Sequence, residues 1–350
     1  PDQFTHDTYV NTQTLRAKYG EVYKSRIYLA GDPTTPSRLF FSSVISGTGN
    51  ITWTPGLDYV DINPGDGEGI TALKRFSLEL LTYKPNYIYR FRTNGVDPDP
   101  LIKVGTRSQE SVVEGKKGLY FHHDSGFYRY TGGYPQEISR PMSDLVDAIP
   151  YSQFANIASW KDADHIYWSV GDLTIPDTTT GAGPTTANAT LWANTVLRFT
   201  ESSEVWTAYG YSVDARRGAT FNNGSTLTQV IGTDNGVVAT VNLGTTDLGE
   251  PIKFKLVTKW YEPESIATRK FFTKLVALCE KAQDLQLLYQ TDDHSEWYAV
   301  GQLTKYLTFF NKQSEPFHRL RFKITGSTRV EGPIFQGIEI LMGTNEGIVS

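Results

Sequence analysis

The stretch GLYFHHDSGFYRYTGG, residues 118–133, places His122, His123 and Asp124 side by side in a chain that has only six histidines. Imidazole and carboxylate groups are metal ligands and general bases, so this triplet raises the question of a metal or catalytic site. In a strand, however, successive side chains point to opposite faces, which keeps the two imidazoles from chelating one ion. The Asp-Ser-Gly that follows has the composition of a tight turn. We therefore predict a corner between two strands.

An acidic segment, DINPGDGEGITA (61–72), begins like a calcium-binding loop at Asp61. Its sixth position is Asp66 where an EF-hand needs Gly, and its twelfth is Ala72 where an EF-hand needs Glu. These two positions exclude an EF-hand. A looser ion site formed by Asp61, Asp66 and Glu68 is the alternative to an acidic surface turn.

Paired carboxylates also occur at Asp97 with Asp99 and at Asp162 with Asp164, a pattern typical of loops. The adjacent arginines at 216–217 could contact phosphate, but an ion pair is the favoured interpretation. The chain has no nucleophile elbow, phosphate-binding loop, HExxH zinc motif or cysteine cluster. The sequence therefore predicts no enzyme, with no catalytic, cofactor-binding or metal-binding residues and no cofactor.

Composition limits the partners and the cellular setting. The net charge is -5 with a pI near 5.7, which argues against a broad basic face that wraps nucleic acid. The single cysteine, Cys279, excludes an intrachain disulfide and fits synthesis in a reducing cytoplasm. No run of apolar residues is long enough for a transmembrane helix.

The elements that carry these residues are predicted to be strands. Alternating apolar and polar residues are interrupted by polar corners at 84–86, 124–126, 201–204 and 234–236. The corners recur roughly every 40 residues in the first half, the spacing of four-stranded propeller blades. A segment rich in Gly, Pro, Thr and Ala, 171–190, interrupts this spacing and is predicted to be a mobile loop or interaction arm. We expect an all-β fold in which residues 1–250 form β-propeller blades.

Residues 251–350 are predicted to form a β-sandwich-like module or a closing blade. RKFFTKLVALCEKAQDLQLLY (269–289) has apolar residues at helical spacing, but it also alternates as two strands. We favour strands because the neighbouring segments 252–260 and 318–327 alternate clearly and need partners. YQTDDHSEWYAVG (289–301) resembles the Asp-box hairpin of sialidase propellers, a structural motif, with Trp297 expected to pack beneath the turn.

The order of several motifs resembles a class of tailed-bacteriophage structural proteins. These motifs are VYKSRIYLAGDPTTPSRLFFSS (22–43), WTPGLDYVDINPGDGEGITALKRF (53–76) and LYFHHDSGFYRYTGG (119–133), and they cover about 20–140 closely. RFTESSEVWTAYGY (198–211) and the segment 258–301 resemble later modules of the same class. The Asp-Gly usual in that later module is Asp293-His294 here, which puts an inherited partner contact at this turn in doubt.

This resemblance implies a non-enzymatic β-propeller component of a phage tail or neck, such as a nozzle or hub. It implies a homo-oligomeric ring around the DNA ejection channel, located in the virion after synthesis in the host cytoplasm. The partners would be other tail or neck proteins and genomic DNA, which passes without sequence-specific binding. Two alternatives are a receptor- or glycan-binding propeller, for which exposed tryptophans would supply a face, and a propeller glycoside hydrolase.

Overall fold

The computed structural model divides the chain into two compact units. Unit 1 comprises residues 1–175 and 191–241, and unit 2 comprises 176–190 and 242–350. Across both units the structure describes residues 15–45, 51–54, 56–91, 99–175, 190–222, 224, 227–241, 246–247, 250–262, 269–281, 285–304, 306–328 and 333–344. Within these ranges no helix has the length and apolar character needed to cross a membrane.

Unit 1 is a series of antiparallel sheets in which each strand pairs with the next one along the chain. The first sheet contains β1 (Tyr19–Tyr23), β2 (Arg26–Ala30), β3 (Arg38–Phe41) and β4 (Tyr59–Asp61). The second contains β5 (Ala72–Phe76), β6 (Glu79–Tyr83), β7 (Ile88–Phe91) and β8 (Asp99–Ile102). The third contains β9 (Val113–Glu114), β10 (Leu119–His123), β11 (Gly126–Tyr130) and β12 (Gln136–Glu137).

Two further sheets continue this series. The fourth contains β13 (Ala158–Lys161), β14 (His165–Ile175), β15 (Thr190–Thr200) and β16 (Val205–Gly210). The fifth has three strands: β17 (Ala215–Asn222), β18 (Leu227–Thr233) and β19 (Val238–Val241). Consecutive four-stranded meanders of this kind are propeller blades, so the predicted all-β propeller class is confirmed.

Successive blades share hydrophobic cores, because alternate residues of one strand enter the cores on its two sides. In β6, Leu80 packs into the core shared with the first blade, whereas Leu81 packs into the core shared with the third. In β10, Phe121 packs towards the second blade and Tyr120 towards the fourth. The second and third blades are thereby buried on both faces and packed against their neighbours.

The strands confirm the four predicted corners and correct the bounds of the predicted insertion. All four corners are turns, since they fall between β6 and β7, β10 and β11, β15 and β16, and β18 and β19. The boundaries predicted for the loop 171–190 are wrong. Residues 171–175 extend β14, and Thr190 begins β15. Residues 176–189 lie outside the described residues.

A short helical segment joins the third and fourth blades, which the strand-only prediction missed. It contains 3₁₀ helices at Arg140–Met142 and Tyr151–Gln153 and helix α1 at Ser143–Asp147, while a further 3₁₀ helix, Gln109–Ser111, precedes the third blade. Val146 of α1 is buried in the core shared by these blades, together with Met142, Ile149 and Phe154. Tertiary burial therefore holds a helix of only five residues, which would not persist alone.

Unit 2 is a β-sandwich. One sheet has the order β20-β21-β26-β23-β24 and the other has the order β25-β22-β27. The strands are β20 (Thr246–Asp247), β21 (Glu250–Val257), β22 (Lys270–Glu280), β23 (Leu285–Thr291), β24 (Tyr298–Leu303), β25 (Leu307–Asn311), β26 (Leu320–Thr328) and β27 (Ile334–Thr344). The strand prediction for 269–289 is confirmed, and the two strands belong to opposite sheets. Their inner faces share one core that includes Cys279.

Candidate functional site

The structure places the histidine triplet at the end of β10, where it serves the blade core. His122 is 1% exposed and contacts Phe127 and Phe154 edge-on, with ring centroids 5.0 and 4.8 Å away. His123 faces the other way, and its Nδ1 accepts a hydrogen bond from the Gly105 N–H at 3.3 Å. Burial lowers the pKa of both imidazoles, to about 3 for His122. Both rings are therefore neutral near pH 7 and belong to different cores.

Asp124, the third member of the triplet, forms the turn and an ion pair. Its carboxylate accepts from Arg107 Nε at 2.8 Å and from the Nη2 at 2.7 Å, a two-pronged contact. The Arg107 guanidinium also lies 4.7 Å from the centre of the Tyr151 ring. This ion pair joins the tip of the β10–β11 hairpin to the segment between blades two and three. Asp124 therefore helps to fix the position of the hairpin.

The acidic segment at 61–72 does not gather its carboxylates around one point. Asp61 pairs with Arg38 across β3 and β4 at 2.8 Å, while Glu68 accepts from the backbone and side-chain amide of Asn86. Asp66 turns inward to a different partner. Among the described residues, no three His, Cys, Asp or Glu side chains converge in a way that could hold a metal ion.

That inward partner is Lys84, whose ammonium is completely buried at the β6–β7 corner. Its Nζ donates to both carboxylate oxygens of Asp66 at 2.8 Å, to the Asn63 carbonyl at 3.0 Å and to Ser37 Oγ at 3.4 Å. A buried ammonium needs this full set of acceptors because desolvation is expensive. Lys84 therefore connects the segment before β5 to the β6–β7 corner of the second blade through hydrogen bonds.

Asp162 is a carboxylate at a blade junction that accepts hydrogen bonds from several residues. It accepts from the N–H groups of Asp164 and His165, from His165 Nδ1 at 2.8 Å, from Tyr167 Oη at 2.9 Å and from Gln229 Nε2 at 2.6 Å. Burial alone would raise its pKa, but these hydrogen bonds outweigh burial and lower the pKa. The bond from Gln229, which lies on β18, connects the fourth blade to the fifth.

A concavity of about 430 Å³ lies where β13 meets β17, beside Asp162. Trp160 forms part of its wall and stacks on Tyr167 with ring centroids 5.4 Å apart. Lys161, also on the wall, donates from Nζ to the Glu114 carbonyl at 2.5 Å. Lys161 and Asp162 thus contact neighbouring blades, whereas Trp160 Nε1 is buried and has no hydrogen-bond partner among the described residues.

Glu201 is a site residue that the sequence pattern does not reveal, because the pattern places it only in a polar corner. Glu201 is 2% exposed and accepts from the N–H groups of Lys116 and Lys117 at 3.0 and 2.9 Å and from Tyr120 Oη at 2.9 Å. Burial, followed by the bond to Glu201, raises the pKa of Tyr120. These partners lie more than 80 residues away in sequence, so no local pattern could have identified them.

The paired arginines at 216–217 form ion pairs in the structure. Arg216 pairs with Asp214 at 2.7 Å, and Arg217 lies 3.7 Å from Glu110. Both contacts are partly exposed, so each contributes little to the free energy of unfolding. Asp97 lies outside the described residues.

The Asp-box-like hairpin joins β23 to β24 in unit 2. Asp292 Oδ1 accepts from the backbone N–H groups of 318–319 at 3.0 Å, and Asp293 pairs with Arg269 at 2.8 Å. Trp297 does not pack beneath the turn as predicted. The centre of its ring lies 5.1 Å from the Arg321 guanidinium and 4.3 Å from Lys323 Nζ, both on β26.

Solved structures similar to this chain include a designed protein and a WD40 domain. A computationally designed protein, Ika8, is 11% identical with a TM-score of 0.36, over 63% of this chain and 56% of that one. The Pan2 WD40 domain of Neurospora crassa is 10% identical with a TM-score of 0.32, over 67% of this chain and 76% of that one. The chain thus spans little more than half of the designed protein. No family model and no curated protein matches the sequence.

Proposed function

We propose that this chain is a structural component of a bacteriophage virion. In this proposal it is a tail nozzle, hub or neck protein whose copies assemble into a ring around the DNA ejection channel. The resemblance of residues 20–140 to phage structural proteins supports the virion setting. The observation that carries the assembly role is an exposed apolar face in unit 2.

This apolar face is the outer surface of the sheet β25-β22-β27. Leu307, Phe309 and Leu341 are 37%, 56% and 61% exposed. The strand register places Phe309 opposite Val276 and places Leu307 opposite Leu278. Side chains of the opposite parity fill the sandwich core, so this second apolar surface is additional to what the fold requires.

A contiguous apolar surface on a folded unit commonly marks a contact with another protein. The occupant in our proposal is a second copy of this chain, because ring assembly needs a repeated contact that each copy makes in turn. Lys274 lies on the same face, with Nζ 5.1 Å from the Phe309 ring centre. Lys274 lies on the central strand between Asn311 and Leu341, and Glu339 pairs with Val276 on the same face, so one cation and one carboxylate lie among the apolar side chains and would set the register of the contact.

The geometry of unit 1 is consistent with a rigid structural component. Lys84, Asp162 and Glu201 each connect segments that are distant in sequence, as do the shared cores between blades. A scaffold whose buried polar groups join blade to blade keeps its shape when neighbouring subunits push on it. This is what a tail or neck component requires.

Cryo-electron microscopy of the expressed chain and of purified phage particles tests this proposal. We expect a closed ring, and in particles we expect it in the tail or neck around a lumen wide enough for DNA. A monomer at high concentration that is absent from particles would overturn the proposal. A solitary molecule that retains glycans in ligand screening would favour the receptor-binding alternative instead.

Substitution of the apolar face provides a matched test in solution. We expect Phe309→Gln combined with Leu341→Gln to dissociate the oligomer, measured as molar mass by light scattering. Leu78→Gln is the control, since Leu78 is 77% exposed at the turn between β5 and β6. Equal dissociation by both variants, or by neither, would contradict this interface.

A further inference from the structure

Blades two, three and four carry an arginine at the same place on their third strands. Arg90 lies on β7, Arg129 on β11 and Arg198 on β15, each directly before an aromatic residue. The residues on either side of each arginine pack into the core shared with the preceding blade, so the arginine itself faces the next blade. In all three the Nε is buried and has no hydrogen-bond partner in the described part of the chain.

At the first two junctions this arginine has a carboxylate partner and an acceptor from the next blade. Arg90 Nε lies 3.8 Å from Glu79, and its Nη1 lies 3.5 Å from the Gly132 carbonyl oxygen, in the connection between β11 and β12. Arg129 Nη1 donates to Glu204 at 2.8 Å, in the connection between β15 and β16. In both cases the next blade supplies its acceptor between its third and fourth strands.

Arg198 has no such partner, because no described carboxylate forms an ion pair with it. Its Nη2 donates to Thr207 Oγ1 at 3.3 Å, and its guanidinium lies 5.1 Å from the centre of the Tyr209 ring. The fifth blade, which it faces, has three strands among the described residues, and β19 is the last of them. By the repeat, Arg198 therefore faces the position that the start of a fourth strand occupies in the other blades.

The surface beside this position is aromatic. Tyr209 and Tyr211 stack with ring centroids 6.5 Å apart, and both are partly buried against the core between the fourth and fifth blades. Ala239 and Val241 of β19 belong to the same core. A strand added beside β19 would therefore direct alternate side chains towards Arg198 and the tyrosines.

We propose that an extended acidic segment of a partner protein adds to the edge of β19 as the fourth strand of the fifth blade, with a carboxylate paired to Arg198. Main-chain hydrogen bonds to β19 supply affinity, and the side chains supply specificity. Arg198 selects an acidic residue, and the tyrosines select an apolar residue two positions away on the same face. The outer strand of the fourth blade already has this pattern, with Glu204 on Arg129 and Trp206 against the core shared with the third blade. The inference does not depend on the virion or ring assignments.

A peptide copied from that outer strand, SEVWTAYG (203–210), is the probe. Its ends are blocked, so Glu204 supplies its single carboxylate, and its binding to the full chain is measured by fluorescence anisotropy. Arg198→Gln should weaken binding at least about tenfold, because it removes charge-assisted hydrogen bonds. Glu204→Gln in the peptide should cost wild type the same factor and should cost the Arg198→Gln variant nothing further.

A matched control separates this contact from overall charge. Arg217→Gln removes a cation from an exposed position on β17 of the same blade, and it should leave peptide affinity within about twofold of wild type. Equal losses for the two arginine variants, or no loss for either, would overturn the proposal. Because the peptide substitution leaves the protein unchanged, equal binding of both peptides to wild type would overturn it even if Arg198→Gln failed to fold.

A backbone-modified peptide and hydrogen exchange test the strand addition. Alternate N–H groups of a strand point to opposite neighbours, so N-methylation at two successive residues, Val205 and Trp206, removes one that faces β19. This peptide should bind at least about tenfold more weakly. The β19 amides that point away from β18 should exchange more slowly once the unmodified peptide is bound.

The same exchange experiment identifies other occupants of this edge. Protection of those β19 amides without peptide, at any protein concentration, would show that this chain covers its own edge. Protection that rises with protein concentration would show that a second copy covers it. Either result, or equal binding of the N-methylated peptide, would overturn the assignment to a partner's acidic strand.

Discussion

At the residue scale, several titratable side chains are buried inside the fold. His122 lies in an apolar core, and its Nε2 has no hydrogen-bond partner among the described residues. Lys84 and Asp66 form a buried ion pair that bridges distant segments. Burial makes the free energy of unfolding depend on pH when an imidazole is kept neutral. It makes the free energy of unfolding depend on the partner when a charge is buried.

The neutral state of His122 makes the third blade sensitive to acid. Its folded pKa of about 3 lies below the unfolded value near 6.5, so its stabilising effect is complete above about pH 6.5 and is lost as pH falls towards 3. We expect wild type to lose about 2 kcal/mol from this group between pH 7.5 and 5. Urea unfolding of His122→Leu should show a smaller loss, while the exposed control His294→Gln should match wild type.

Breaking the buried ion pair should cost more than breaking a surface pair. Asp66→Asn leaves the Lys84 ammonium without its counter-ion, and we expect a loss of about 3 kcal/mol in urea unfolding. Asp61→Asn, which breaks the partly exposed pair with Arg38, should cost less than about 1 kcal/mol. Adding Lys84→Met to Asp66→Asn should recover part of the loss, and failure to recover any would contradict this account.

At the element scale, strand alternation and corner chemistry predicted most of the fold. The four polar corners and the two strands of 269–289 follow from period-two patterns and from turn residues. The pairing of neighbouring blades does not follow from these patterns, because shared cores join residues that are far apart in sequence. The short helix α1 also escaped prediction, since five residues with no strong helix signal form it only through burial.

The junction of the fourth and fifth blades depends on a close approach at Gly218. A Cβ at this position would meet the Trp160 ring at 2.2 Å. We expect Gly218→Ala to destabilise unit 1 by about 1 to 3 kcal/mol because the ring must move. Gly232→Ala is the matched control on the paired strand, where a Cβ meets nothing within 4 Å, and thermal unfolding should find it at least as stable as wild type.

At the scale of the whole molecule, the two units have separate hydrophobic cores. The cores shared between blades lie within unit 1, and the sandwich core lies within unit 2. Groups that share a core tend to unfold together, whereas separate cores open separately. The units are therefore expected to report different unfolding transitions.

A labelling experiment can distinguish those transitions. Cys279 is buried in the unit 2 core, and burial raises the pKa of its thiol, so it should react with thiol reagents only when unit 2 opens. Gly218→Ala should lower the urea midpoint for amide exchange in β13 and leave the midpoint for Cys279 labelling unchanged. Equal shifts of both midpoints would show that the molecule unfolds as one unit.

The sequence by itself determined the strand content, the corners and the structural use of His122, His123 and Asp124. These follow from local alternation and turn chemistry, which act over a few residues. Only the tertiary structure decided that Asp66 meets Lys84, that Glu201 meets the 116–117 turn, and that Trp260 and Trp297 flank Arg321. These contacts join residues from different strands and sheets. Their formation is set by how sheets stack and register, and local sequence does not encode that.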